Sequence, residues 1–386
     1  MRNRLWLFYA VTSFFWFSLY AYVPYVSPFA DEMGADLRLI GLIAGAYGFT
    51  QMVIRFPLGI FSDRIGARKV FVLLGMGFAA ASGIVVFFFP SPQTLLLARA
   101  LGGVAASAWV TFTVLGASYY PPDETARSMG YLSACNSFGR MAALLVGGLV
   151  AEWLGVPHAF LLGGIAGIVG LIMGVGVVEV RPDKNGAPPP SLSTLLDVAK
   201  NKQLLCCSIL GILAMFILFA TTFGFTPLAA AQLDASQFQL GMLGVASTLP
   251  GIFVAPLAGT VLPKKLGVGV TIAAGFILAG AGSAFIASSN TLFMLFTVQI
   301  IGNIGGAVVG TLLLGLCIRD ISAERRATAM GFFQAVYGLG MFLGPFVMGQ
   351  VSHNLGLMTA FIFIGAVGVI GAVMTIVSAG RGYLKY

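Results

Sequence analysis

Three arginines, Arg55, Arg99 and Arg140, stand inside long apolar runs of a 386-residue chain in which only 9% of residues are charged. A guanidinium keeps its proton at any useful pH, so its natural chemistry is to grip an oxyanion through paired N–H donors. Arg140 is the sharpest case. Ser133, Asn136, Ser137 and Arg140 fall at i, i+3, i+4 and i+7, which on a helix places all four on one face. A charge at the bilayer centre costs about 3 kcal/mol even on a lenient scale, so this polar stripe is expected to line water rather than lipid. Arg99 lies near one end of its run and is a second candidate ligand. Arg55 also lies near an end, where its long stem is expected to snorkel to the headgroups.

A second cluster raises a different chemistry. In "GIFSDRIGARKV" (59–70), Asp63, Arg64, Arg68 and Lys69 sit within seven positions between two apolar runs. Gly59 and Gly66 permit a tight turn and close helix approach, and Asp63 is placed to face the positive N-terminal end of another helix. Such a contact would act as a gate; the plainer reading is a basic membrane anchor with one stray acid.

The remaining titratable groups exclude other chemistries. Asp31, Glu32, Asp36, Glu152 and Asp234 fall in connections or run ends on one side, and the other eight acids fall on the opposite side. No carboxylate is left deep in a run. His158 and His353 lie in connections and read as ordinary surface residues. Cys135, Cys206, Cys207 and Cys317 have no metal-ligand spacing. No acid pair, histidine cluster or Ser/Lys dyad stands at depth, so the chain is expected to be neither an enzyme nor a holder of a metal or cofactor.

The elements that must position these groups follow from composition. A hydrophobic fraction of 58% and a mean hydropathy of +0.96 leave too few polar residues to cover a soluble surface. Runs long enough to cross a bilayer occur near 5–27, 39–58, 69–89, 94–119, 126–150, 157–180, 204–230, 238–261, 268–288, 291–317, 327–350 and 357–379. The predicted fold is therefore an all-α membrane protein of 12 transmembrane helices in two pseudo-symmetric six-helix bundles, 1–180 and 204–386, joined by a cytoplasmic linker, 181–203. With both termini inside, 17 of the 21 Lys and Arg fall on the cytoplasmic side, as the positive-inside rule requires. The net charge of +8 is thereby explained without nucleic acid. At mid-run, Arg140 would lie roughly 21 Å from one end of its helix and 15 Å from the other.

The halves repeat. Residues 126–155 laid over 327–356 give ten identities in thirty, and Gly41, Gly59 and Gly102 meet Gly241, Gly259 and Gly302. Such duplication suggests a solute path at the repeat interface. Against helix 5, the matching helix 11 carries Gln334 and Tyr337, and helix 10 adds Gln299 and Asn303. Helix 1 offers Ser13, Trp16 and Tyr20, and helix 7 offers Phe216, Phe219 and Phe223. For these aromatics, plain packing or an interfacial belt is an equal alternative.

The charged knot carries a resemblance. Gly59, Asp63, Arg64, Gly66, Arg68 and Lys69 resemble the loop 2–3 signature of the major facilitator superfamily. Arg99, Gly102 and Gly103 resemble its fourth-helix pattern, and "GLGMFLGPFVMG" (338–349), with Gly344 and Pro345, resembles the G-x-x-x-G-P motif of its drug-exporter branch. The resemblance implies a secondary transporter working by alternating access, with gating at the knot and at Gly344–Pro345, and it favours export. Together with the two central arginines, the expected cargo is a small organic solute, anionic or amphipathic, with protons as a candidate co-substrate. The alternative is an anion uptake or exchange carrier, or a uniporter without proton coupling. The chain is expected to be a monomer in a bacterial or archaeal inner membrane, in contact with its lipids.

Overall fold

A computed structural model describes residues 2–121, 124–180, 200–322 and 325–384, with the backbone alone at a few helical positions that include Asp63 and Arg64. Most of the expected linker, 181–199, lies outside the described residues. Among the described residues, twelve helical spans, some built of two segments, are long and apolar enough to cross a bilayer. They are α1 (Arg2–Tyr20), α2 (Leu37–Ile65), α3 (Arg68–Phe88), α4 (Pro92–Ser107), α5 (Thr125–Leu154), α6 (Val156–Val175), α7 (Lys202–Ala220), α8 (Gln237–Thr260), α9 (Val268–Ile286), α10 (Leu292–Leu316), α11 (Arg326–Leu355) and α12 (Leu357–Gly380). The order and number of spans match the hydropathy reading.

The ends are set by backbone chemistry rather than hydropathy. Gly66, Gly155, Gly267 and Gly356 adopt φ values of +65°, +94°, +80° and +87°, and each closes a helix or joins two, as a residue without Cβ can. Three helices are extended by a second segment. α1 resumes as a 3₁₀ turn, Val23–Tyr25, and a short helix, Val26–Glu32, with Pro24 and Pro28 withdrawing backbone donors. α4 continues as Trp109–Ala117. α7 passes through a π-helical turn, Thr221–Phe225, into Thr226–Ala231.

The chain forms two compact units. The first comprises residues 1–33, 49–189 and 236–242; the second comprises 34–48, 190–235 and 243–386. In the first, α1 packs on α5 and α6, and α3 packs on α4 and α6. A methyl on Gly139 of α5 would overlap the Ser13 carbonyl of α1, and one on Gly167 of α6 would overlap Ala80 of α3. Backbone approach of this kind gives helices in lipid their dispersion contacts, since apolar side chains there have no water to escape.

The second unit repeats the plan. α7 packs on α11, and α9 packs on α10 and α12. Gly340 of α11 lies against the Ile212 carbonyl of α7, and Gly368 of α12 against Gly280 of α9. Residues 139 and 340, like 167 and 368, are 201 apart, so duplication preserved the crossings themselves. The turns leading into α2 and α8 match as well: Gly34 has φ +81° and Asp234, 200 residues on, has φ +58°.

Candidate functional site

In the first unit the polar stripe of α5 meets α1. The Arg140 guanidinium lies 4.3 Å from the centroid of the Tyr20 ring, a cation–π distance. Trp16 packs against Tyr20 and edge-on against Trp109, with ring centroids 5.9 and 5.1 Å apart. Trp16 and Tyr20 are buried, Asn136, Ser137 and Arg140 are half-buried, and Ser133 is exposed. Three buried polar atoms around this point have no hydrogen-bond partner: Nε of Arg140, Nε1 of Trp16 and Oδ1 of Asn136. Among the described residues no acid forms an ion pair with Arg140. Two N–H donors and one acceptor are thus left unmatched in an aromatic setting, an arrangement rare among buried polar groups.

The other two arginines behave differently. Arg99 on α4 is 4% exposed, and in the same unit the Tyr22 hydroxyl hydrogen-bonds Ser82 at 2.9 Å. Arg55 is also buried, contrary to the expected snorkelling. The reason is the length of α2, which continues to Ile65 and keeps Arg55 about 15 Å short of the helix end.

In the second unit the structure gathers Gln299 and Asn303 on α10 with two residues the sequence did not single out. Gln299, 3% exposed, donates its amide to Thr222 Oγ1 at 2.7 Å and Ser247 Oγ at 3.4 Å. Thr222 donates to Asn303 Oδ1 at 3.3 Å, and Asn303 returns a bond to the Gln299 carbonyl at 2.8 Å. This network borders a narrow cavity lined by residues of α7, the π turn, α9 and α10. Thr222 lies in the π turn, and such turns collect at functional sites. The signal was present in "TTFGFTP": Pro227 cannot donate to the carbonyl of Phe223, so a regular helix loses a rung there.

Phe219 stacks on Tyr47 at 6.2 Å between centroids and meets Phe223 at a tilt, 5.1 Å away. On α11, Gln334 and Tyr337 are half-buried, and Tyr337 meets Phe333 edge-on at 5.2 Å. The expected set thus divides into an arginine cluster in the first unit and an amide cluster in the second.

The charged knot is mostly helix. α2 runs through Asp63 and Arg64, and only Gly66 and Ala67 separate it from α3. The side chains of Asp63 and Arg64 are outside the described residues. Gly66 makes the turn, but a methyl on Gly59 would meet open space, so Gly59 mediates no close approach. The first turn of α3 is instead fastened by an acid that the sequence did not mark. Glu179 accepts from the backbone N–H groups of Arg68 and Lys69 at 3.0 and 2.7 Å, the favoured place for a carboxylate on a helix.

At the opposite helix ends, two repeat-related contacts appear. In the first unit Glu152 of α5 accepts from the Phe238 N–H at 2.9 Å, and Gly241 of α8 lies against Leu144 and Gly148. In the second, His353 of α11 is 3.7 Å from Asp36, Arg38 donates to Asn354 at 2.9 Å, and Gly41 of α2 lies against Gly349 and the Pro345 carbonyl. Gly344 in turn meets the Phe216 carbonyl, while α11 stays continuous through Pro345. His353 is thus more than a bare surface residue. His158 packs edge-on against Phe87 at 5.5 Å.

Comparison with known proteins places this architecture. An uncharacterized MFS-type transporter of Methanocaldococcus jannaschii is 26% identical over 94% of this chain and 92% of its own length. The quinolone resistance protein NorA of Staphylococcus aureus is 27% identical over 41% of the chain and 40% of its own. The nucleoside transporter NupG superposes with a TM-score of 0.79 over 97% of this chain and 99% of that one, at 17% identity, which speaks for fold. The profile described as Major Facilitator Superfamily matches residues 5–317 and, again, 209–382. With twelve spanning helices, two repeated crossings and that match along nearly its whole length, the chain is an integral multi-pass membrane transporter and belongs to the major facilitator superfamily.

Proposed function

We propose that this transporter moves a small organic anion with an aromatic or apolar body by alternating access, in the direction of export. The observation that carries this reading is Arg140: a cation at the middle of α5, laid on the Tyr20 ring, with its Nε unmatched and no acid paired to it among the described residues. A carboxylate or phosphate would supply the missing acceptor, while Trp16 Nε1 and Asn136 Oδ1 offer one donor and one acceptor to the rest of the solute. Export rests on the partial likeness to a drug-resistance protein, NorA.

A second reading, exchange of one anion for another without protons, is favoured by where the acids lie. Glu152, Asp36 and Glu179 are engaged at helix ends with Phe238, His353 and the start of α3. Purified protein in liposomes tests both. Efflux of an aromatic carboxylate should be lost in Arg140→Glu and persist in part in Arg140→Lys. Stimulation by an imposed pH gradient supports proton coupling; stimulation only by a counter-anion supports exchange. Undiminished anion transport by Arg140→Glu would remove the reading.

A further inference from the structure

The repeat fails at one place on the lipid side of the second unit. Where α3 carries Leu73 and Leu74, α9 carries Ala273 and Ala274; where α6 carries Leu171, α12 carries Ala372. With methyls where the first unit has those three isobutyl groups, a groove is left between α9 and α12, lined by four residues of each helix. Every lining residue is apolar. Val270, Ile277, Val373, Ile376 and Val377 along it remain between 45% and 57% exposed.

One end of the groove is basic. Gly269 packs on Ala379, so the start of α9 and the end of α12 meet there. Lys264 and Lys265 occupy the last turn of the short helix Leu262–Leu266 just before α9, and Arg381 follows α12; all three are exposed. Lys202 lies over the Tyr383 ring at 5.9 Å, bringing a fourth cation to the same end. The segments 202–233, 235–319 and 325–386 contain no Asp or Glu, so none of these elements supplies a counter-ion of its own. From Val270 to Ile277 the groove runs roughly 10 Å, a length suited to part of one acyl chain.

We propose that this groove is a binding site for one anionic phospholipid, its phosphate held by Lys264, Lys265 and Arg381 and one acyl chain laid along Ala273, Ala274 and Ala372. Charge selects the lipid, since basic pockets beside spanning helices favour anionic headgroups. The missing leucines select a chain over bare packing, because an empty trough forfeits dispersion contacts that a flexible tail restores.

The test is native mass spectrometry of the full chain released from micelles containing equal phosphatidylglycerol and phosphatidylcholine. Wild type should retain one phosphatidylglycerol preferentially. Each of Lys264→Ala, Lys265→Ala and Arg381→Ala should weaken that retention roughly fivefold. The double variant Ala273→Leu/Ala274→Leu copies α3 and should abolish it while leaving the charges in place; thermal unfolding confirms that each variant is folded. Equal retention of both lipids, or phosphatidylglycerol retention unchanged in the leucine variant, would overturn the proposal.

Discussion

α5 and α11 descend from one pattern, and the places where they differ separate scaffold from chemistry. Gly139 and Gly340 press against backbone carbonyls of α1 and α7 in the same way. One residue further on, α5 has Arg140 and α11 has Met341; at the preceding turn, α5 has Asn136 and α11 has Tyr337. Gly139/Gly340 and Gly148/Gly349 were kept through duplication, whereas Gly147, which lies against the Ala21 carbonyl, is Met348 in the second copy, and Gly344, which lies against the Phe216 carbonyl, is Ala143 in the first. The positions beside the crossing diverged, to a half-buried Arg140 in one copy and a buried Met341 in the other. Among the described residues, buried polar atoms without a partner occur on α5 at Ser128, Asn136 and Arg140 and on α11 at Ser352. The amide network of the second unit is internally satisfied, whereas the arginine site is not.

The comparison can be broken first at the crossings. Gly340→Val should destabilise the folded protein by about 2–3 kcal/mol, the cost of overpacking, read as a lower thermal midpoint in detergent. Gly130→Ala and Gly331→Ala, a repeat-related pair whose added methyls meet nothing, should be neutral or gain up to about 1 kcal/mol. If all three respond alike, the crossings are not what the duplication preserved.

Exchanging the chemistry between copies comes next. Arg140→Met gives α5 the residue of α11 and should weaken anion binding about 10- to 100-fold, the worth of hydrogen bonds to a charged group. Met341→Arg should not restore it, because position 341 is buried, 5% exposed, and packs against Gly48. Binding of a fluorescent carboxylate to the purified variants reads both.

Thr222→Val sharpens the contrast on the amide side. It leaves the Gln299 amide without its shorter bond, at a cost of about 1–2 kcal/mol, while anion affinity at Arg140 should hold. The smallest expected effect is Glu152→Ala, which removes an exposed acceptor from the Phe238 N–H. About 0.5 kcal/mol is expected from a helix N-terminus, visible as faster amide exchange at Phe238 with little change in melting.

Most of the fold was legible in the sequence because lipid imposes a simple length rule. Twelve apolar runs gave twelve helices, and the 201-residue repeat located the tight crossings. Helix ends were not legible by the same rule. Asp63 and Arg64 read as loop, yet α2 carries them, because polar residues at the headgroup level cost a helix nothing and only Gly66 stops it. The site was half legible. The Arg140 stripe follows from spacing alone, whereas Thr222 and Ser247 joined Gln299 through tertiary contacts that no periodicity encodes. Glu179 was missed for a related reason: its carboxylate serves backbone groups more than a hundred residues away in the chain.

Asp234 shows what the duplicated halves still carry from their common origin. Its left-handed backbone occupies the place where the first half has Gly34, so one ancestral bend has been handed down twice and accommodated by two different residues. Glycine fits that bend without steric objection; aspartate tolerates it through its short polar arm. The second half is therefore the copy in which a turn, once set by inheritance, is held by a residue that would not choose it unaided, and relaxation of the chain on loosening this side would be expected to begin there.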